Sequence, residues 1–103
     1  MTRRLDFLPE ARADLRRLSA CIAERSGAAR AAAYMARIEA RCAGLVDFPM
    51  RGADRGDLRP GLRTVGFERR VTIAFVVEPE AVTIVRVLYG GRDLETAFDD
   101  ERG

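Results

Sequence analysis

The first half of the chain repeats apolar residues at intervals of three and four, the spacing of helices that bury one face. One such stretch follows Pro9, a residue tolerated in the first turn of a helix, and covers residues 10–25; a second covers residues 28–46. The apolar stripes of the two stretches consist of Ala11, Leu15, Leu18, Ile22, Ala31, Tyr34, Ile38, Cys42 and Leu45. Because only Ser26 and Gly27 separate the stretches, they are predicted to form an antiparallel helical hairpin.

Beyond the hairpin the period changes from helical to alternating, which is the pattern of β-strands. β-Branched and aromatic residues mark strands at residues 62–67, 70–77 and 82–89, and a short alternating stretch marks another at residues 3–8. Between the hairpin and these strands, residues 50–61 are rich in Gly, Asp and Arg and are predicted to be a loop. The whole chain therefore predicts one α+β domain, with an N-terminal strand and an antiparallel helical hairpin packed on an antiparallel β-sheet (β-α-α-β-β-β), followed by a short C-terminal segment.

The register of the last two strands follows from the loop between them, since Glu78-Pro79-Glu80-Ala81 has the composition of a four-residue hairpin loop. On the side expected to carry the helices, the predicted pairs are Val77 with Val82, Phe75 with Ile84, Ile73 with Arg86 and Val71 with Leu88. On the other side, they are Arg70 with Tyr89, Thr72 with Val87, Ala74 with Val85 and Val76 with Thr83. Arg86 on the helix-bearing side either emerges at an edge or pairs with a helix carboxylate, for which Glu39 is a candidate.

Composition is that of a soluble globular domain, because apolar residues make up 48% of the chain and charged residues 33%. No stretch approaches the roughly 20 apolar residues that span a bilayer. Residues 1–4 lead into a mixed segment and not into the apolar core of a secretion signal. We therefore expect a cytoplasmic protein that does not contact membranes.

The residue types that are missing restrict the possible chemistry. The sequence contains no His, Lys, Trp, Asn or Gln, so the usual general base, Schiff-base amine and imidazole metal ligand are all missing. Cys21 and Cys42 are too few for a zinc cluster and are predicted to be reduced, buried, small hydrophobic residues. We expect no metal, no cofactor and no catalytic residue.

The basic residues are all arginines, 18 of them against 16 acidic residues, for a net charge of +2. The planar guanidinium suits phosphate and carboxylate, but the same composition also arises from coding bias alone.

Three segments of the chain resemble the ParE/RelE toxin superfamily, and its ParE branch in particular. They are residues 7–15 (FLPEARADL), residues 58–63 (LRPGLR) and the closing strand with its Gly-Gly-Arg-Asp end, residues 85–93. The resemblance covers nearly the whole chain and implies the strand, helical hairpin and three-stranded meander described above. None of the three segments is a catalytic signature, so the resemblance predicts the fold more directly than the activity.

Two functional classes are known in that superfamily. Proteins of the RelE class cut messenger RNA on the ribosome with arginines, lysines and often a tyrosine, whereas those of the ParE class poison DNA gyrase without a hydrolytic site. Carried onto this chain, one arginine of the RelE set falls on Thr72 and the tyrosine falls on Phe98, so that only Arg92 remains. Because the loss of one stabilising donor typically costs about a hundredfold to a thousandfold in rate, the sequence favours the ParE class.

The predicted interaction residues form two groups. The residues predicted to bind the target are Arg69, Arg70, Tyr89, Arg92 and Phe98. The residues predicted to bind an antitoxin are Leu58, Arg59, Leu62 and Phe67. By resemblance, the partners are a ParD-like antitoxin with an acidic, leucine-rich tail and DNA gyrase as the target, with no direct binding of nucleic acid. Two alternatives stay open: a RelE-type ribonuclease, in which Arg69, Arg70 and Tyr89 form a different cluster, and a binding module that has kept the fold but lost its target.

Overall fold

The computed structural model describes residues 3–90, in which two helices cover one face of a five-stranded sheet. The elements in chain order are β1 (Arg4–Phe7), α1 (Pro9–Ser26), α2 (Ala28–Asp47), β2 (Ala53–Asp54), β3 (Leu62–Phe67), β4 (Val71–Val77) and β5 (Ala81–Tyr89). The α+β class and the predicted order of helices and long strands are confirmed, and their ends differ from the predicted ones by one residue or so. The predicted C-terminal segment lies outside the described residues.

The sheet is mixed, with strand order β1-β5-β4-β3-β2. β1 runs parallel to β5, whereas every other pair is antiparallel. The expectation of a purely antiparallel sheet was therefore wrong for β1, because no short turn links β1 to β5 and fixes their relative direction. The short strand β2 was also missed, inside the predicted loop at residues 50–61. Gly52, directly before β2, lies so close to β3 that a Cβ atom at this position would collide with the carbonyl oxygen of Thr64.

The main hydrophobic core lies between the helices and the sheet. It consists of Ala11, Leu18, Ile38, Cys42, Leu45, Val65, Val71, Ile73, Phe75, Val82, Ile84 and Val87. A smaller cluster lies on the opposite face of the sheet, with Leu58, Leu62, Ala74 and Val85 at its centre. The free thiol of Cys42 is fully buried, and burial raises its pKa to about 12, whereas the free thiol of Cys21 is only half-buried. Neither helix among residues 3–90 is long and apolar enough to cross a membrane.

The predicted register of β4 and β5 is confirmed near the hairpin loop and wrong beyond it. The pairs Val77–Val82, Val76–Thr83 and Phe75–Ile84 are as predicted. The register then shifts at a β-bulge, after which the pairs are Ala74–Arg86, Ile73–Val87, Thr72–Leu88 and Val71–Tyr89. Val85 is the additional residue in β5, and its insertion places Val87, not Arg86, opposite Ile73 in the main core.

The bulge is held by a carboxylate from α1. Asp14 accepts hydrogen bonds from Arg86 Nε at 2.8 Å and Arg86 Nη2 at 3.0 Å, and from the backbone N–H of Val87 at 2.9 Å. The exposed fraction of the side chain is 9% for Arg86 and 2% for Asp14. The prediction that Arg86 pairs with a helix carboxylate was therefore right in kind but wrong in residue, since Asp14 and not Glu39 lies beside β5.

Several opposing effects act on the pKa of the Asp14 carboxyl group. Burial is the largest single effect and raises the pKa, but the hydrogen bonds from Arg86 and from the Val87 amide and the charges of Arg86 and Arg17 together outweigh it. The net pKa of Asp14 therefore lies below its ordinary value, and the carboxylate stays ionised at neutral pH.

Replacing Asp14 with alanine is expected to destabilise the fold by about 3–5 kcal/mol, because it breaks a buried ion pair with Arg86 and removes the acceptor of the Val87 N–H. Asp6→Ala is the matched control: its ion pair with Arg4 is exposed and is worth at most about 1 kcal/mol. Urea unfolding measures both free energies. Equal losses in the two variants would show that the buried pair does not anchor the sheet.

The same pair predicts an acid dependence of stability. Folding lowers the pKa of Asp14, so the ionised carboxylate stabilises the folded state fully at pH values above 3.8, the pKa in the unfolded chain. This stabilisation is lost as the pH falls through the pKa of the folded state. The difference in unfolding free energy between the wild type and Asp14→Asn should therefore shrink as the pH falls below about 3.8. Denaturant titrations from pH 6 to about pH 2 test this, and a difference that stays constant over that range would contradict it.

Candidate functional site: a cleft of arginines and tyrosines

A cleft with a volume of about 440 Å³ lies where the helical hairpin meets one end of the sheet. It is lined by Ile22, Ser26, Arg30, Ala33, Tyr34, Arg37, Glu68, Arg70 and Tyr89. Helix α2 supplies Arg30, Tyr34 and Arg37 to one wall because residues at intervals of four and three lie on the same face of a helix. The turn between β3 and β4 and the last residue of β5 supply the opposite wall.

The β3–β4 turn has an unusual backbone. The Arg70 N–H donates to the carbonyl oxygen of Phe67 at 3.2 Å, which closes a four-residue turn. Its two central residues, Glu68 and Arg69, have φ angles of 47° and 63°. Positive φ at both central positions defines a type I′ turn, for which Asn and Gly are the preferred residues. Glu68 and Arg69 therefore hold a strained conformation, of the kind that is often found at functional sites.

Contacts with α2 hold this turn in place. Arg37 donates to Glu68 through Nε at 2.9 Å and through Nη2 at 3.4 Å. The rings of Tyr34 and Phe67 meet edge to face, with their centroids 5.6 Å apart, and the Arg37 guanidinium lies 5.1 Å from the centre of the Tyr34 ring. Because these contacts join the turn to α2 directly, they fix the width of the cleft.

The cleft is positively charged. Of the residues that the structure describes, three guanidinium groups line it, those of Arg30, Arg37 and Arg70, against one carboxylate, that of Glu68. Arg70 donates to the Tyr89 hydroxyl at 3.5 Å, and this contact raises the pKa of Arg70, so that Arg70 is charged at neutral pH. Within residues 3–90, neither Arg30 nor Arg70 forms an ion pair.

Tyr34 also carries an unsatisfied polar atom. Its hydroxyl oxygen is buried, and among the described residues it has no hydrogen-bond partner. Burial, followed by the charge of Glu68, raises the pKa of this phenol, so that it is a neutral potential donor. A buried polar group without a partner typically costs about 1–3 kcal/mol.

The structure brings together two of the residues predicted to bind the target. Arg70 and Tyr89 line the cleft, and Arg69 lies exposed in the adjoining turn. Arg70 is not paired with Tyr89 as predicted, because the bulge moves Tyr89 opposite Val71; instead the Gly90 N–H donates to the carbonyl oxygen of Arg70 at 2.8 Å. Arg92 and Phe98 lie outside the described residues.

The residues predicted to bind an antitoxin do not form one surface. Leu58 and Leu62 are buried in the smaller cluster, whereas Phe67 packs against the main core on the opposite face of the sheet. Arg59 is exposed and lines a second groove of about 350 Å³. The other residues lining this groove are Asp6, Leu8, Pro60, Val76, Glu78, Thr83 and Val85.

Seven of the nine described residues that line the cleft were not among the predicted site residues, and four of the seven carry charged or aromatic side chains: Arg30, Tyr34, Arg37 and Glu68. Tyr34 was predicted as part of an apolar stripe, and the two arginines look like any solvated helix face in the sequence. The only sequence signal for this cluster is the spacing of the two arginines, four residues before and three residues after Tyr34. This spacing does not show which part of the sheet the helix faces.

The chain is a small α+β domain in which a helical hairpin packs on a mixed sheet, with a basic cleft at one end of the sheet. This is the class of toxin that the sequence resembles. Residues 5–94 match the family model described as the ParE toxin of the type II toxin-antitoxin system parDE, and the chain belongs to this family. Toxin ParE3 of Caulobacter vibrioides is 38% identical over 81 residues, which are 79% of this chain and 80% of that toxin.

A solved structure shares the fold. It is described as the chromosomal ParDE TA system from P. aeruginosa, and its matched chain has a TM-score of 0.74 and 24% sequence identity. The match covers 86% of this chain and 97% of that one. At this identity the likeness supports the fold alone.

Replacing Arg69 with glycine is expected to stabilise the chain by roughly 1 kcal/mol, because glycine adopts positive φ without strain. Arg69→Ala is the matched control, since it removes the same side chain but keeps the strain. Thermal unfolding followed by circular dichroism should give a higher melting temperature for the glycine variant than for the alanine variant. If the alanine variant is equally stable, the turn is not strained.

Proposed function

We propose that this ParE toxin stops growth by binding DNA gyrase in the cytoplasm, and that a ParD-like antitoxin neutralises it. The match of residues 5–94 to the ParE toxin family carries the proposal. The Caulobacter relative is named as a ParE toxin, and the solved structure is described as a ParDE system, which pairs such a toxin with a second protein.

The composition of the cleft supports binding in preference to RNA cleavage. A general base has to be free to accept a proton, but the one carboxylate that residues 3–90 bring to the cleft, that of Glu68, accepts hydrogen bonds from Arg37. Thr72, which by the resemblance takes the position of one arginine of the RelE set, lies half-buried on β4. Arg70 and Tyr89 remain available to contact a partner, together with Arg69.

The same geometry supports a proposal for the antitoxin contact. Arg59 lies at the second groove and Phe67 borders the first cleft, on the opposite face of the sheet. A segment that reaches both must cross from one face of the sheet to the other. A disordered tail that folds on binding can wrap in this way, with Leu58 and Leu62 supporting the groove from below.

Expression of the chain alone is expected to stop growth, induce the DNA-damage response and cause filamentation, and co-expression with the antitoxin should restore growth. Purified toxin should inhibit supercoiling by gyrase and leave messages intact in a translating ribosome mixture. Cleaved messages with unchanged supercoiling would contradict the proposal and favour the RelE-type alternative. No growth arrest at all would favour a module that has lost its target.

Tyr89→Phe gives a matched test of the two activities, because it removes only the hydroxyl group. A ribonuclease that uses this hydroxyl should lose about a hundredfold to a thousandfold in rate. A gyrase-binding surface that keeps the ring should lose little, since the 3.5 Å contact with Arg70 is long.

A further inference from the structure

The cleft between α2 and the β3–β4 turn has an excess of positive charge that the described chain does not neutralise. Arg30 and Arg70 have no carboxylate partner within residues 3–90, and Glu68 is bound by Arg37. A ligand that matches this charge carries about two negative charges. The guanidinium fork suits carboxylates, with which it forms paired, charge-assisted hydrogen bonds.

The lining also favours a ligand that has an apolar part. Ile22, Ala33 and the rings of Tyr34 and Tyr89 line the cleft together with the charged groups. Its volume of about 440 Å³ lies within the range of about 300–1,000 Å³ that is usual for ligand sites. An acidic peptide segment offers both features, because carboxylates alternate with methylene groups and apolar side chains.

A nucleic-acid backbone fits this cleft less well. Its phosphates form a continuous track that is usually met by a stripe of cations, whereas this site is a single concave cleft with a carboxylate, Glu68, in its wall. The observations therefore favour a protein ligand.

Contacts within the chain hold the cleft in shape. The strained turn at Glu68 and Arg69 is held to α2 by the Arg37–Glu68 pair and by the packing of Phe67 on Tyr34. Strain that is maintained at a cleft is an independent sign of a functional site. A fixed cleft also lowers the entropy cost of binding, because fewer groups become ordered when the ligand docks.

We propose that this cleft, with Arg30 and Arg70 as the principal contacts, binds a carboxylate-bearing segment of the toxin's protein target. The inference rests on the proposed function in one respect, namely that the toxin acts by binding a protein. It adds Arg30 and Tyr34 to the target-binding residues and states the chemistry of the segment that they recognise.

The two tyrosines of the chain give a direct measurement, because both line the cleft and the chain has no tryptophan. The probe is an acetylated and amidated heptapeptide of Glu, Leu and Ala, compared with the same peptide in which Gln replaces Glu. Tyrosine fluorescence, checked by calorimetry, should show saturable binding of the Glu peptide that is at least about tenfold tighter than that of the Gln peptide and weakens with added salt. Tighter binding of inorganic phosphate, or equal binding of the two peptides, overturns the proposal.

The matched variants reverse the same number of charges at different places. Arg30→Glu/Arg70→Glu should weaken binding of the Glu peptide at least about tenfold, the factor that corresponds to about 1.4 kcal/mol. Arg16→Glu/Arg41→Glu, at residues that do not line the cleft, should bind it like the wild type. Melting curves of both variants show whether the fold is intact.

Growth arrest in cells provides the second measurement. The Arg30→Glu/Arg70→Glu variant should lose toxicity while it stays folded, and Arg16→Glu/Arg41→Glu should keep it. If the wild type arrests growth without affecting gyrase, the gyrase target is wrong, but peptide binding and the loss of toxicity still support the cleft. Full toxicity of the folded Arg30→Glu/Arg70→Glu variant overturns the cleft whatever the target is.

Discussion

The ion pair between Asp14 and Arg86 determines how the helical layer sits on the sheet. β1 pairs with β5 only as far as Ile84, so the outer edge of β5 has no neighbouring strand beyond that residue among residues 3–90. A buried backbone N–H on this edge needs an acceptor, and Asp14 provides it for Val87. The same carboxylate neutralises Arg86, so that one side chain from α1 satisfies the edge amide and a buried charge together.

This anchor also sets the position of the cleft. The bulge at Val85 shifts every later residue of β5 by one place, which brings Tyr89 opposite Val71 and Gly90 beside Arg70. Asp14 fixes the same part of β5 to α1, and the last turns of α1 carry Ile22 and Ser26 to the cleft wall. The shape of the cleft therefore depends on the position of α1, which Asp14 fixes two to three helical turns away from the cleft.

The helices and the long strands could be predicted from the sequence because their periods are regular over many residues. The bulge could not, since Val85-Arg86-Val87-Leu88 continues the strand composition and no Gly or Pro marks the extra residue. The parallel pairing of β1 depends on tertiary packing, which has no local signature. Asp14 did leave a signal: it lies on the buried stripe of α1, three residues after Ala11 and four before Leu18, where a charged side chain needs a partner. The conformation of the β3–β4 turn could not be predicted, because Glu68 and Arg69 are not of the residue types that turns with positive φ prefer.

The main core and the cleft are stabilised by different interactions. Core packing between the helices and β3, β4 and β5 does not require Glu68 and Arg69 to adopt positive φ, a conformation that costs about 1–2 kcal/mol for each residue. Their conformation is instead held by contacts with α2, of which the edge-to-face packing of Phe67 on Tyr34 contributes about 0.5–1.5 kcal/mol. Exposed ion pairs such as Arg37–Glu68 add little to stability in water, so the packing of Phe67 on Tyr34 is the main contact that holds the turn. A carboxylate that enters the cleft meets the Arg37 guanidinium and offers an acceptor near the buried Tyr34 hydroxyl. The side chains that hold the turn are therefore also the ones that the proposed ligand contacts.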